Sequence, residues 1–154
     1  MCIKKPKFTL KLSGPEYFNE EFSCYGDQLV KILTPLNSFF KNDHWYVFDV
    51  SASTREANHP FLSSDLKDTT MKLSMEDLID NSSKIIQFDS GVFMSFKKNK
   101  MVHLDPNFLP LTESEEGLQH PLADLEIRAF DYSYFEIYGN NMEIKEKILK
   151  ELFL

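Results

Sequence analysis

LEIRAFDYSYFEIY, from Leu125 to Tyr138, is the stretch that decides how this sequence is read. Leu125, Ile127 and Ala129 alternate with Glu126 and Arg128. A period of two puts the apolar side chains on one face of a β-strand. Phe130, Tyr132 and Tyr134 then fall on the other parity from Phe135 and Ile137. The stretch is therefore expected to be one long strand, either bulged near Asp131 or buried on both faces.

Asn140 and Asn141 open a closing amphipathic helix with Ile144, Ile148, Leu149 and Leu152 on its apolar face. Glu143–Lys147 and Glu146–Lys150 are favourably oriented i,i+4 pairs on its outside. Before the strand, Asp105 to Pro121 reads as a long loop, punctuated by Pro106, Pro110, Gly117 and Pro121. Lys84 to Phe88 and Val92 to Phe96 are two arms around Asp89-Ser90-Gly91, or one strand with a bulge at Gly91. Lys97 to Lys100 is a polar turn, after which Met101 to Leu104 is expected to pair back.

HWYVFDV, from His44 to Val50, is aromatic and β-branched and reads as a strand. Ser51 to Lys67 reads as a second long loop. Thr69 to Leu73 is a short strand, and Ser74 caps a helix over Met75 to Asp80. Lys7 to Leu12 is the first strand, and Tyr17, Phe18 and Phe22 could line a short helix after it. Asp27 is the expected cap of a helix starting at Gln28, with Leu29, Ile32, Leu33 and Leu36 inward. Pro35 either kinks that helix or restarts it behind a Thr34 cap. The sum is a single α+β domain over residues 1–154. It has a mostly antiparallel sheet of five or six strands and about three helices.

The net charge of −7 repels phosphate backbones, which argues against nucleic-acid binding and favours a basic partner. No apolar run approaches a membrane span, and Met1 to Lys11 lacks the apolar core of a secretory signal. Cys2 and Cys24 have no C-x-x-C spacing, which suits a reducing compartment. A cytoplasmic protein is expected.

No catalytic motif is evident. Cys24 has no partner base nearby in sequence and reads as a buried thiol. His44, His59, His103 and His120 do not fall at zinc-ligand spacing, and loop polarity accounts for His59 and His120. Asp49, Asp89 and Asp131 each sit beside aromatics near strands, but no spacing joins them. No metal or other cofactor is expected.

The strongest anomaly is Asp105 to Glu126, which holds Asp105, Glu113, Glu115, Glu116, Asp124 and Glu126 without a Lys or Arg. Leu109, Leu111 and Leu118 lie among them. Such a mixture suits capture of a basic protein, with charges steering and apolar residues anchoring. The plainer reading is a solvated loop whose leucines tuck onto the core. Tyr132, Tyr134 and Tyr138 allow the same two readings, as partner anchors or as half-buried strand residues.

LSMEDLIDNSSKIIQFDSGVFMSF (Leu73 to Phe96) and IRAFDYSYFEIYGNN (Ile127 to Asn141) resemble small bacterial immunity proteins of contact-dependent growth-inhibition and related polymorphic-toxin systems. The resemblance implies a non-enzymatic protein that binds a cognate toxin domain, expected to be a basic nuclease, and occludes its active site. It makes Asp105, Glu113, Glu115 and Glu116 the expected steering charges, with Leu118 and Tyr138 as anchors. The alternatives are a small intracellular ligand-binding or regulatory domain and, behind it, an enzyme built on the three aspartates.

Overall fold

A computed structural model describes residues 3–62 and 71–153. Residues 63–67 of the loop expected over Ser51 to Lys67, Thr69 and Thr70 of the short strand, and Cys2 lie outside the described residues. The strands are β1 (Phe8–Leu12), β2 (His44–Thr54), β3 (Met71–Leu73), β4 (Ile85–Phe96), β5 (Leu125–Phe130) and β6 (Tyr134–Gly139). The helices are α1 (Gly26–Leu33), α2 (Asn37–Phe40), α3 (Met75–Ser83) and α4 (Met142–Leu152). All strand pairings are antiparallel, in the order β1-β6-β5-β4-β2-β3. The α+β class expected from sequence is the one observed.

Leu125 to Tyr138 forms a hairpin, β5 and β6, and not one long strand. Residues 131–133 turn the chain, with φ of 48° at Asp131 and 60° at Tyr132. The Ser133 N–H donates to Phe130 O at 2.8 Å. Two successive residues with positive φ match the twist of the flanking strands. Ala129 pairs with Phe135 and Phe130 with Tyr134, so odd positions stay on one face through the turn. The apparent change of phase was three aromatics gathered at the turn.

Each face of the sheet has its own cover. Toward the helices point Leu10, Leu12, Trp45, Val47, Phe93, Ile127, Phe135 and Ile137, which pack with Leu29, Leu33, Leu78 and Ile148. Toward the other side point Phe48, Val92, Met94, Phe96 and Tyr138, which pack with Leu118, Ala123, Val102, Leu104 and Leu109. Double-sided cover explains why β5 and β6 are buried almost throughout.

Several local expectations change. β2 runs on to Thr54, because register shifts let Ser51–Thr54 keep pairing with β4. The one residue gained on β2 between Phe48 and Ser51 accompanies a φ of 53° at Asp49. β4 is one strand through Gly91. α1 starts at Gly26, because Gln28 and not Asp27 closes its end: Gln28 Oε1 accepts the Tyr25 N–H at 3.1 Å. Thr34 caps nothing; its hydroxyl donates to Val30 O at 2.7 Å, and Pro35 sits in a 3₁₀ turn leading into α2. Residues 101–104 form no strand. Phe22 is exposed, and residues 14–18 form a single π-helical turn. On α4 the i,i+4 pair that closes is Lys147–Glu151 at 3.1 Å.

Candidate partner-binding face

Residues 97–124 cross the sheet opposite the helices without forming a helix or strand. Such a segment must satisfy its backbone polar groups some other way. Side chains from the strands beneath it do so, and Arg128 of β5 is the centre of that arrangement. Arg128 is 1% exposed, and its Nε lies 2.6 Å from Glu126 Oε2. Its terminal nitrogens donate to the carbonyls of Ser114 at 3.1 Å, Glu115 at 3.0 Å and Gly117 at 2.6 Å. The guanidinium also lies 4.7 Å from the centre of the Tyr138 ring. A buried guanidinium is tolerated because it is both charge-paired and hydrogen-bonded.

Gln119 clasps a second part of the segment. Its side chain accepts the Leu111 N–H at 3.0 Å and donates to Leu111 O at 2.9 Å and Glu126 Oε2 at 2.8 Å. Its own N–H donates to Glu126 Oε1 at 2.8 Å. Asp49 Oδ2 accepts the Thr112 N–H at 2.9 Å, and Thr112 Oγ1 accepts the Gly91 N–H at 3.0 Å. Leu118 and Lys4 exchange backbone hydrogen bonds of 2.8 and 2.9 Å. Gly117 beside them has a φ of 127°, and a Cβ there would meet Ile3 and the Lys4 carbonyl.

His120 is buried, and loop polarity does not account for it. Its Nδ1 accepts the Leu122 N–H at 3.1 Å and its Nε2 lies 3.0 Å from His103 O. Nδ1 accepts, so the proton sits on Nε2, which donates. His59 makes the same bracket, with the Phe61 N–H on Nδ1 and Asn81 O against Nε2. Cys24 is also interior. Its thiol donates to Tyr134 O at 3.2 Å, and burial pushes it up to about 12, so it stays protonated at neutral pH.

On this braced segment Asp105, Glu113, Glu115 and Glu116 are all exposed. Their standing differs. Glu116 shares Lys11, at 3.6 Å, with the buried Glu136. Asp105 accepts the Asn107 N–H at 2.9 Å and shapes the turn that follows it. Glu126, which the sequence grouped with these acids, lies inside under Arg128. The two expected anchors are corrected. Leu118 and Tyr138 are both 0% exposed and offer no surface to a partner. Leu118 is drawn inward by its pairing with Lys4, and Tyr138 carries Arg128 on its ring. The apolar side chains that do face out on this segment are Phe108, at 63% exposure, and Leu111, at 55%.

The fold also joins what sequence spacing left apart. Asp49, Asp89 and Asp131 line one pocket of about 320 Å³ together with Glu113, Leu111, Thr112 and Phe130. The bulge on β2 brings in Asp49, and the Asp131 N–H donates to Asp89 O at 3.0 Å. The pocket has four carboxylates, and no Lys or Arg is among its described lining residues. Among the described residues no group of three or more acidic, His or Cys side chains is placed to hold a metal ion. Four carboxylates without a cation among the described lining residues give the recess a negative charge. Among the described residues no helix is long and apolar enough to cross a membrane. Comparison with known proteins finds no matching family model, no matching curated protein and no matching solved structure.

Proposed function

We propose that this chain is a cytoplasmic immunity protein that binds a cognate toxin domain, a nuclease by preference, and neutralises it by covering its active site. The observation that supports this reading most is the exposed acidic segment fixed in place by Arg128. A nuclease cleft is basic because it binds phosphate, so an acidic inhibitor is steered toward it. A surface ordered before contact loses little conformational entropy on binding. Co-expression with its cognate toxin domain should restore growth and yield a stable complex. Absence of both would overturn the proposal. Replacing Asp105, Glu113, Glu115 and Glu116 with their amides should slow association at least about tenfold at low salt and flatten its salt dependence.

A small intracellular ligand-binding or regulatory domain is the second reading. The recess lined by Asp49, Asp89, Asp131 and Glu113 favours it, since about 320 Å³ falls at the small end of ligand pockets. A small cation co-purifying with the protein, seen by native mass spectrometry, would favour this reading over the first.

A further inference from the structure

We propose that the groove beside the acidic recess docks an extended basic segment of the partner protein, seating one apolar side chain of that segment against Phe108 and Leu111. The inference rests on the immunity reading and names the chemistry of its contact. The groove has a volume of about 470 Å³, and Ile3, Phe108, Leu109, Leu111, Glu115 and Gln119 are among its lining residues. Leu111 lines the acidic recess as well, so groove and recess adjoin at this residue.

The exposure of Leu111 is built in. Gln119 holds both its N–H and its carbonyl, and Asp49 holds the next N–H, so the side chain is kept outward by its backbone. An exposed apolar pair on a fixed backbone is the form an anchor site takes. The charges select the occupant. Glu115 lies in the groove, and Asp49, Asp89, Asp131 and Glu113 lie in the recess. Two nearby cations, Lys4 and Lys11, are turned elsewhere. The Lys4 ammonium lies 3.4 Å from Pro121 O, and the Lys11 ammonium lies between Glu116 and Glu136. A second copy of this chain meeting the site through the same face would oppose acid to acid. A segment with one Leu or Phe beside Lys or Arg matches the two adjoining cavities: its apolar side chain fills the groove and its cation enters the recess.

The test is an NMR titration of the labelled full chain with three ten-residue synthetic peptides. The first has Lys and Arg flanking one central Leu, the second replaces that Leu with Ser, and the third replaces the basic residues with Glu. The first peptide should shift resonances of residues 107–111, Gln119, Asp49 and Asp89. Its affinity should fall about tenfold or more with the Ser peptide, and the Glu peptide should not bind. Shifts elsewhere, no shifts, or equal binding of all three would overturn the proposal. A Phe108→Ser/Leu111→Ser variant, whose replaced side chains are exposed and not in the core, is measured beside it against the toxin domain. Loss of about tenfold or more in affinity supports the groove. Unchanged affinity overturns the groove and leaves the immunity reading standing. If the wild-type chain does not bind the toxin, the immunity reading fails, and the peptide titration still decides the groove.

Discussion

The two faces of the sheet are covered by different physics. The helical face is closed by amphipathic helices whose own hydrogen bonds are internal, so its cover is held by apolar area. The opposite face is closed by a segment without regular structure, so part of its cover is held by Arg128, Glu126, Gln119, Thr112 and His120. Apolar area is tolerant of detail, whereas a buried polar network works only when every member is present. The helical face therefore supplies bulk stability, and the loop face fixes the position of a surface. That division suits the proposed binding role, in which exposed acids are held still without a helix to carry them.

The contrast is broken most directly by one substitution on each side. Phe93→Ala on the helical face removes a fully buried ring and should cost about 3–5 kcal/mol, lowering hydrogen-exchange protection throughout the sheet. Arg128→Met should cost about 3 kcal/mol, since it leaves Glu126 buried without its partner and frees three carbonyls. Its exchange signature should be local, with protection lost over residues 111–119 and largely kept in α1 and α4. Adding Glu126→Gln to that variant should recover part of the loss, because Gln can still accept from Gln119 without a buried charge. Uniform loss of protection in Arg128→Met would show that the two faces are not separable.

The two faces were also unequally legible in the sequence. Strand positions on the helical face obey a period of two, and α4 obeys a helical period, so both were readable from residue type alone. The hairpin turn was missed because Asp131-Tyr132 lacks the Asn-Gly or Asp-Gly signature of its backbone. The acidic segment was visible as composition, but its order was not. Nothing local links Arg128 to the Ser114 carbonyl or Asp49 to the Thr112 N–H; the sheet register makes those links. For the same reason Asp49, Asp89 and Asp131 looked unrelated, and Leu118 looked like an anchor. The available signal was Glu126 and Arg128, opposite charges two apart on a strand whose other positions are apolar. Such a pair points to one face, but a solvated face carries the same pattern, so it marks the face without marking its cover.

Lys97 joins the two faces and sets a smaller effect. It lies 3.7 Å from Asp43 Oδ1, before β2, and 3.4 Å from Asp124 Oδ2, so it also ties together the ends of residues 97–124. Burial pushes the Asp43 carboxyl up to about 6; Lys97 opposes the rise and Asp124 adds to it. With a folded value above the ordinary 3.8, the native state binds more protons than the unfolded chain between about pH 4 and 6. Asp43 therefore contributes stability at pH 4 that is lost as pH rises through 6. Asp43→Asn should remove that component. The difference in Tm between variant and wild type should be more favourable to the variant at pH 7.5 than at pH 4.5, by a few degrees. A difference that does not vary with pH would show that Asp43 takes no part.

The smallest expected effect concerns the hairpin where the two faces meet. Tyr132 holds a φ of 60° and is half exposed, so its side chain gives back little of the cost of that conformation. Asp131 before it tolerates a positive φ better, as its short polar side chain can bond locally. Tyr132→Gly should therefore relieve strain and stabilise the protein by about 0.5–1 kcal/mol, after the greater freedom of glycine in the unfolded chain is counted against it. In a chain of this size that is a rise in Tm of about 1–4 °C. Affinity for the proposed toxin partner should be unchanged, since Tyr132 is not among the described lining residues of the groove or the recess. A stabilised variant with weakened binding would move the partner's footprint along the hairpin, onto the Phe130–Tyr134 stack whose rings lie 5.5 Å apart. The groove would then be at the edge of the interface and not at its centre.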